Sequence, residues 1–347
     1  MQHCLAVFAS LLCLVTGEAG TQQPSAETIS RIMGVAATTT ADGVVRVGWP
    51  RTAVAFHVDG LAFRPAMGLK TWAAFQATPH GTRLMGDTVV FEDEVNAALD
   101  AALNSGIEVT ALHNHFLFDK PKAYFMHIGG NGSSEELAAG VRSIWDAVKS
   151  VRAKNPTPAE LFPGQIPRDG ELDTARLEET IGVSGKFRDS VFKISIGRSA
   201  SMAGSSFGAS MGLSTWMAFS GSDALAAVAG DIAMTAREVQ PVLKALRGGG
   251  INIVALHNHM LGESPAIFFT HFWGKGPALK LAHGLRGALD AQRGAAKGDP
   301  SAAYELALDF DRMEAQVAPL GFPQARTGGA GAGLWKFEEN DRASSGS

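Results

Sequence analysis

The string Ala111-Leu112-His113-Asn114-His115 recurs as Ala255-Leu256-His257-Asn258-His259, and a third histidine follows each copy, His127 and His271. The displacement is 144 positions throughout (257 against 113, 271 against 127). It also relates Thr71-Trp72 to Thr215-Trp216, Gly86-Asp87 to Gly230-Asp231, Glu94-Val95 to Glu238-Val239, and Asp146 to Asp290. A register held without insertion over about 80 residues marks a duplication, so the two copies act as an alignment of the chain with itself.

Residues on a β-strand alternate between faces, which puts His113 and His115 on one side and Asn114 on the other. If the strand turns back near Lys120, His127 lies directly opposite His113, about 5 Å away at Cβ. The same holds for His257, His259 and His271. Three neutral imidazoles on one patch suit a transition metal. Zn²⁺ is the first expectation and copper the second, because three histidines with an open fourth position is the arrangement of catalytic zinc sites.

A fourth group must come from the repeated acids. Glu94 and Glu238 are expected to act as catalytic bases on a metal-bound water, giving hydrolase or lyase chemistry. Asp87 and Asp231 are the other choice, as a ligand or as a partner holding an imidazole N–H. Asp146 and Asp290 fall late in a helical segment and read as surface charges. Each acid also has a plain structural explanation. Asp87 follows Gly86 as in a turn, and a carboxylate in the first helical turn, as at Glu94, favours the helix dipole without any function. The alternative function is a non-catalytic module for a small-molecule or cell-envelope ligand, its histidines structural. Met260 follows the second His-x-His where Phe116 stands in the first copy, and reads as core filler rather than a copper ligand. Trp72, Trp216, Phe75 and Phe219 read as core.

The elements that must position these residues follow from periodicity. In the first copy Lys70 to Gln76 and Arg83 to Phe91 are strand-like. Glu92 to Asn104 carries Val95, Ala98, Leu99 and Leu103 at helical spacing, with Gly106 just past its end. Ile107 to Phe116 and Lys122 to Gly129 read as a strand and its return. Ser133-Ser134 then caps a helix from Glu135 to Lys149. The order is β-β-α-β-β-α in each copy, which predicts an α+β fold of two tandem homologous repeats. Each would be a mostly antiparallel sheet covered by helices, and the two would form an internal pseudo-dimer. The repeats span 28–150 and 173–291, joined by a Pro-rich linker over 151–172, with a partly disordered extension over 292–347.

The 347 residues are 46% hydrophobic, enough for two cores. The net charge of −4 and the lack of any long Lys/Arg run argue against a nucleic-acid partner. Leu5 to Val15 is apolar and Gly17-Glu18-Ala19 offers a small-x-small cleavage site, so residues 1–19 read as a signal peptide and the protein as periplasmic or secreted. The apolar run is short of the roughly 20 residues a membrane span needs, so no transmembrane segment is expected in the mature chain. Cys13 lacks the small residue that a lipobox places before its cysteine. Both cysteines, Cys4 and Cys13, fall in the signal segment. The mature chain would then hold no thiol, leaving His, carboxylate and Met as ligands.

The strings His257-Asn258-His259-Met260-Leu261-Gly262-Glu263-Ser264-Pro265 and Phe269-Thr270-His271-Phe272-Trp273-Gly274, with their first-copy counterparts, resemble the LppY/LpqO family of exported proteins and lipoproteins. The resemblance covers most of 28–291. It implies an envelope compartment and a two-repeat architecture, and it brings no reaction with it.

Overall fold

The computed structural model describes residues 23–158, 165–167, 170–297 and 304–305. The expected signal peptide therefore lies outside the described residues, as do Pro163 of the linker and nearly all of the C-terminal extension.

The first repeat opens with helix α1 (Ala26–Met33), whose N-cap Ser25 accepts from the Thr28 N–H and whose C-cap Gly34 takes the left-handed conformation. Strands β1 (Thr38–Thr39), β2 (Val45–Pro50), β3 (Lys70–Thr78) and β4 (Gly81–Phe91) follow. Helix α2 (Val95–Asn104), strands β5 (Glu108–His113) and β6 (Ala123–Gly132), and helix α3 (Ser134–Lys154) complete it. The second repeat runs α4 (Thr174–Ile181), β7 (Gly185–Arg188), β8 (Val191–Arg198), β9 (Ser214–Gly221), β10 (Ala226–Thr235), α5 (Ala236–Gly248), β11 (Asn252–Asn258), β12 (Ile267–Gly276) and α6 (Ala278–Ala296). The sequence expectation thus lacked a leading helix and strand in each repeat. Helix α3 also continues to Lys154 and α6 to Ala296, shortening the linker and the extension from their helical ends.

These strands form one antiparallel sheet in the order β1-β2-β3-β4-β6-β5-β11-β12-β10-β9-β8-β7, with Tyr304–Glu305 paired on β8. The second half of that order repeats the first in reverse. The halves join where Leu112 of β5 pairs with Leu256 of β11, a residue with its own counterpart 144 positions on. Side-chain links across the join differ between the two directions. Gln240 both accepts from the Val109 N–H and donates to the Val109 carbonyl, while Arg247 grips Asp100 with two hydrogen bonds.

Alternation along each strand divides the sheet into two faces. Ala73 and Phe75 of β3, Leu84 and Val90 of β4, and Met126 and Ile128 of β6 point toward the helices, where they meet Leu99, Val141, Ile144 and Trp145 in the main core. The opposite face carries two smaller apolar clusters, around Phe56, Phe91 and Phe125 in repeat 1 and around Leu213, Ile267 and Phe269 in repeat 2. Between those clusters the sheet face is open, and the six histidines stand there.

Candidate metal centre

The hairpin β5–β6 turns back one residue earlier than the sequence expectation. Its paired positions are Ala111 with His127, Leu112 with Met126, and His113 with Phe125. His127 is therefore diagonal to His113, not directly opposite it. A shift of two positions preserves the face, whereas a shift of one would have turned His127 into the core. The same register holds in β11–β12, with Ala255 opposite His271 and His257 opposite Phe269.

Strand β5 ends at His113, so His115 and His259 sit in the bend just beyond the strand, not inside it. They still reach the cluster. The ring centroids of His113 lie 5.1 Å from those of both His115 and His127, and His257 lies 5.0 Å from both His259 and His271. His115 lies flat on Phe125 at 3.3 Å and His259 flat on Phe269 at 3.5 Å, which fixes both ring planes. In each triad one ligand atom per imidazole lies within 4.8 Å of the other two, so either triad can hold a metal ion. Tetrahedral zinc at its usual Zn–N length spaces nitrogens about 3.3 Å apart, a difference that small side-chain rotations close.

The neighbouring strand supplies a carboxylate. Asp87 of β4 pairs with His127, and Asp231 of β10 pairs with His271. Both aspartates are buried, and among the described residues their Oδ1 atoms have no hydrogen-bond partner. Asp231 lies 3.6 Å from His259 Nε2 and 4.0 Å from His271 Nδ1. The expected turn at Gly86-Asp87 is instead the middle of a strand. Glycine is needed there because a Cβ would come within 2.8 Å of the Trp72 carbonyl and 2.9 Å of Ile128. At Gly230 the clash with the Trp216 carbonyl is tighter still, 2.3 Å.

Electrostatics follow from this enclosure. Burial, reinforced by His113 and His127, pushes His115 down to about 4. Burial also lowers His259, with Asp231 opposing and His257 and His271 assisting. The carboxyls of Asp87 and Asp231 are pushed above the usual range by burial, against the pull of their own triad's imidazoles. An imidazole that stays neutral keeps its lone pair for a ligand.

Glu94 and Glu238 are elsewhere engaged. Glu94 is fully buried, takes Arg51 Nη2 on both oxygens at 2.7 Å, pairs with Arg152 at 2.7 Å and accepts from the Phe91 N–H. Glu238 is bound by Arg198 through two nitrogens, by Gln292 and by the Thr235 N–H. The carboxylate expected to act as base thus closes the start of α2 or α5 onto a buried guanidinium. The sequence had offered that helix-start explanation as the plain alternative. Arg51 and Arg198 were missed because small insertions displace them by 147 positions, not 144.

Met260 packs against the apolar cluster around Phe269, as Phe116 does around Phe125, so the core reading of that position stands. Phe75 and Phe219 are fully buried. The tryptophans are not core. Trp72 and Trp216 are half-buried on the open face, cross-strand neighbours of Asp87 and Asp231, and each lies under a cation: Arg46 at 5.0 Å, Lys193 at 4.8 Å. Each aspartate is thus flanked by an imidazole on one strand and an indole on the other.

Among the described residues no helix is long and apolar enough to cross a membrane. The profile of a family described as Domain of Unknown Function (DUF1259) matches the chain twice, over residues 27–147 and 175–291. No curated protein matches. Among solved structures, a trimeric bacterial microcompartment shell protein, PduB, aligns at 9% identity over 78% of this chain and 96% of its own, with a TM-score of 0.17. A likeness at that level carries no argument about fold or function here.

Proposed function

The chain belongs to this DUF1259 family through both of its halves, and from that premise we propose that it is a two-site transition-metal protein. His113, His115 and His127 hold one ion and His257, His259 and His271 the other, with the repeats arranged as an internal pseudo-dimer about the Leu112–Leu256 pair. The observation that carries the reading is the buried carboxylate with an unpartnered oxygen beside each set of three imidazoles. A structural cluster of histidines would be expected to satisfy that oxygen, since buried polar atoms left unpaired are costly. A cation at the triad compensates it.

Zn²⁺ fits best. The donors are imidazole and carboxylate without thiolate, the thioether of Met260 packs against an apolar cluster, and a set of three imidazoles leaves a coordination position for a ligand oxygen. Asp87 and Asp231 replace Glu94 and Glu238 as the groups that orient an imidazole or take up a proton, because burial has raised them toward the range where a carboxylate works as a base. This supports hydrolase or lyase chemistry on a ligand lying along the open face. Metal analysis of protein purified without an affinity tag tests the metal reading. We place the protein in the periplasm or outside the cell on the strength of residues 5–19, and an intact mass that retains residues 1–19 would contradict that placement.

A further inference from the structure

Next to the first triad, and unassigned by the reading above, the open face holds a cleft of about 290 Å³. Its shape follows from the register. Ala74 of β3 lies between Arg46 on β2 and Met85 on β4, so a methyl group forms the floor between two long side chains. Trp72 and Gln76, two positions either way along β3, form the end walls, and Arg83 faces Gln76 from β4. The guanidinium of Arg46 lies over the Trp72 ring, and Arg83 is steadied by a hydrogen bond to Asn131 at 3.3 Å. One carboxylate, Asp42, lines the cleft; it accepts from the Thr40 hydroxyl and also lies in the field of Arg46. Two guanidiniums against one carboxylate leave the cleft net positive, with Arg83 held on the side away from Arg46, and such a cleft suits an oxyanion.

The cleft adjoins the triad. Trp72 pairs with Asp87 and Asp87 with His127, so the indole wall is two strand steps from the imidazole, about 10 Å. We propose that the cleft binds the carboxylate or phosphate group of an anionic small molecule whose other end reaches the His113–His115–His127 triad. The shared ligand rests on the metal reading; the anion site does not. Repeat 2 differs where it matters. Lys193 stands over Trp216 as Arg46 stands over Trp72, but Gln76, Arg83 and Met85 are replaced by Ser220, Ala227 and Ala229. The second guanidinium is absent from that position, so the ligand is assigned to repeat 1.

Two measurements separate the claims. Full-length protein stripped of metal is titrated calorimetrically with inorganic phosphate and, separately, with acetate, which distinguishes the two oxyanions. The wild type should show one saturable site, and Arg83→Gln, an exposed substitution whose fold circular dichroism checks, should weaken it about tenfold or more. No saturable binding of either anion, or equal affinity in the variant, overturns the anion site whatever the metal result. Zinc-loaded protein is then offered adipic monohydroxamate and hexanohydroxamate, metal-binding heads on chains that end in carboxylate or methyl. About tenfold preference for the carboxylate-ended probe, lost in Arg83→Gln, is expected. Equal binding of the two overturns the shared ligand. Failure of zinc to load contradicts the metal reading and the shared ligand with it, while the phosphate titration still decides the cleft.

Discussion

The two repeats keep the same centre and change its surroundings. Each has three imidazoles, a buried aspartate, a half-buried indole under a cation and a glutamate held by a buried guanidinium. Even Asp119 and Glu263, different residues at matching positions, make the same bond, accepting from the N–H four residues on. The outer surface has diverged. In repeat 1 the exposed Met85 pairs with Gly129; in repeat 2 Ala229 pairs with Trp273, so the bulky side chain has moved one strand toward the junction. Duplication kept the three imidazoles and the buried aspartate and let the surrounding surface change. Under the proposal above, the cationic cleft marks repeat 1 as the ligand-binding half, whereas repeat 2 carries the partly exposed Trp273.

The largest effect should come from the glutamates, and it should be equal in the two repeats. Glu94→Gln takes from the buried Arg51 the carboxylate it grips and leaves Arg152 only Asp93, and Glu238→Gln takes from Arg198 its carboxylate in the same way. Breaking such a buried pair costs about 3–5 kcal/mol. Chemical denaturation should show that loss for each variant, with metal stoichiometry retained in whatever remains folded. A stable Glu94→Gln protein that binds metal but has lost activity would restore the glutamate as base.

The aspartates should do the reverse. Replacing a group beside a metal-bound imidazole typically weakens metal binding 10–100-fold, and Asp87→Asn should do so at the first site only. In metal-free protein the same change should stabilise at neutral pH. The sign follows from the carboxyl's raised position in the fold. The folded state holds the proton more tightly than the unfolded chain, so stability is lost as pH rises through the unfolded and then the folded value. Asparagine removes that loss. A metal-free Asp87→Asn protein that melts lower than wild type at pH 7 would contradict the assignment.

The smallest effect probes the divergent surface. Trp273→Gly should leave both metal equivalents in place and change stability by about 1 kcal/mol or less, since the ring is partly exposed. Loss of metal from this variant, read by elemental analysis, would mean that the second site depends on its surroundings as well as its ligands.

The histidine clusters were legible in the sequence because strand alternation survives a register error of two. His127 was placed opposite the wrong residue and still on the right face. The carboxylate was not legible. Gly86-Asp87 has the composition of a turn, and only the neighbouring Trp72 carbonyl and Ile128 side chain show why a glycine sits mid-strand. Glu94 resembled a base because its partners, Arg51 and Arg152, lie 43 and 58 positions away and fall outside the repeat's register. The sequence reads Trp72 as core because it does not alternate with a clear polar face, yet its neighbours Ala73 and Phe75, both buried, put it on the other face. Helix α1 and strand β2 escaped because the copies differ there by small insertions, which blur the self-alignment.

The central claim is that each triad holds its own ion, and the direct measurement is metal content in wild type and in two double variants, His113→Ala/His115→Ala and His257→Ala/His259→Ala. Protein purified without an affinity tag, metal-stripped and reloaded with zinc, should carry two equivalents in the wild type and one in each variant. Retention of two equivalents in either variant, or none in the wild type, contradicts the account.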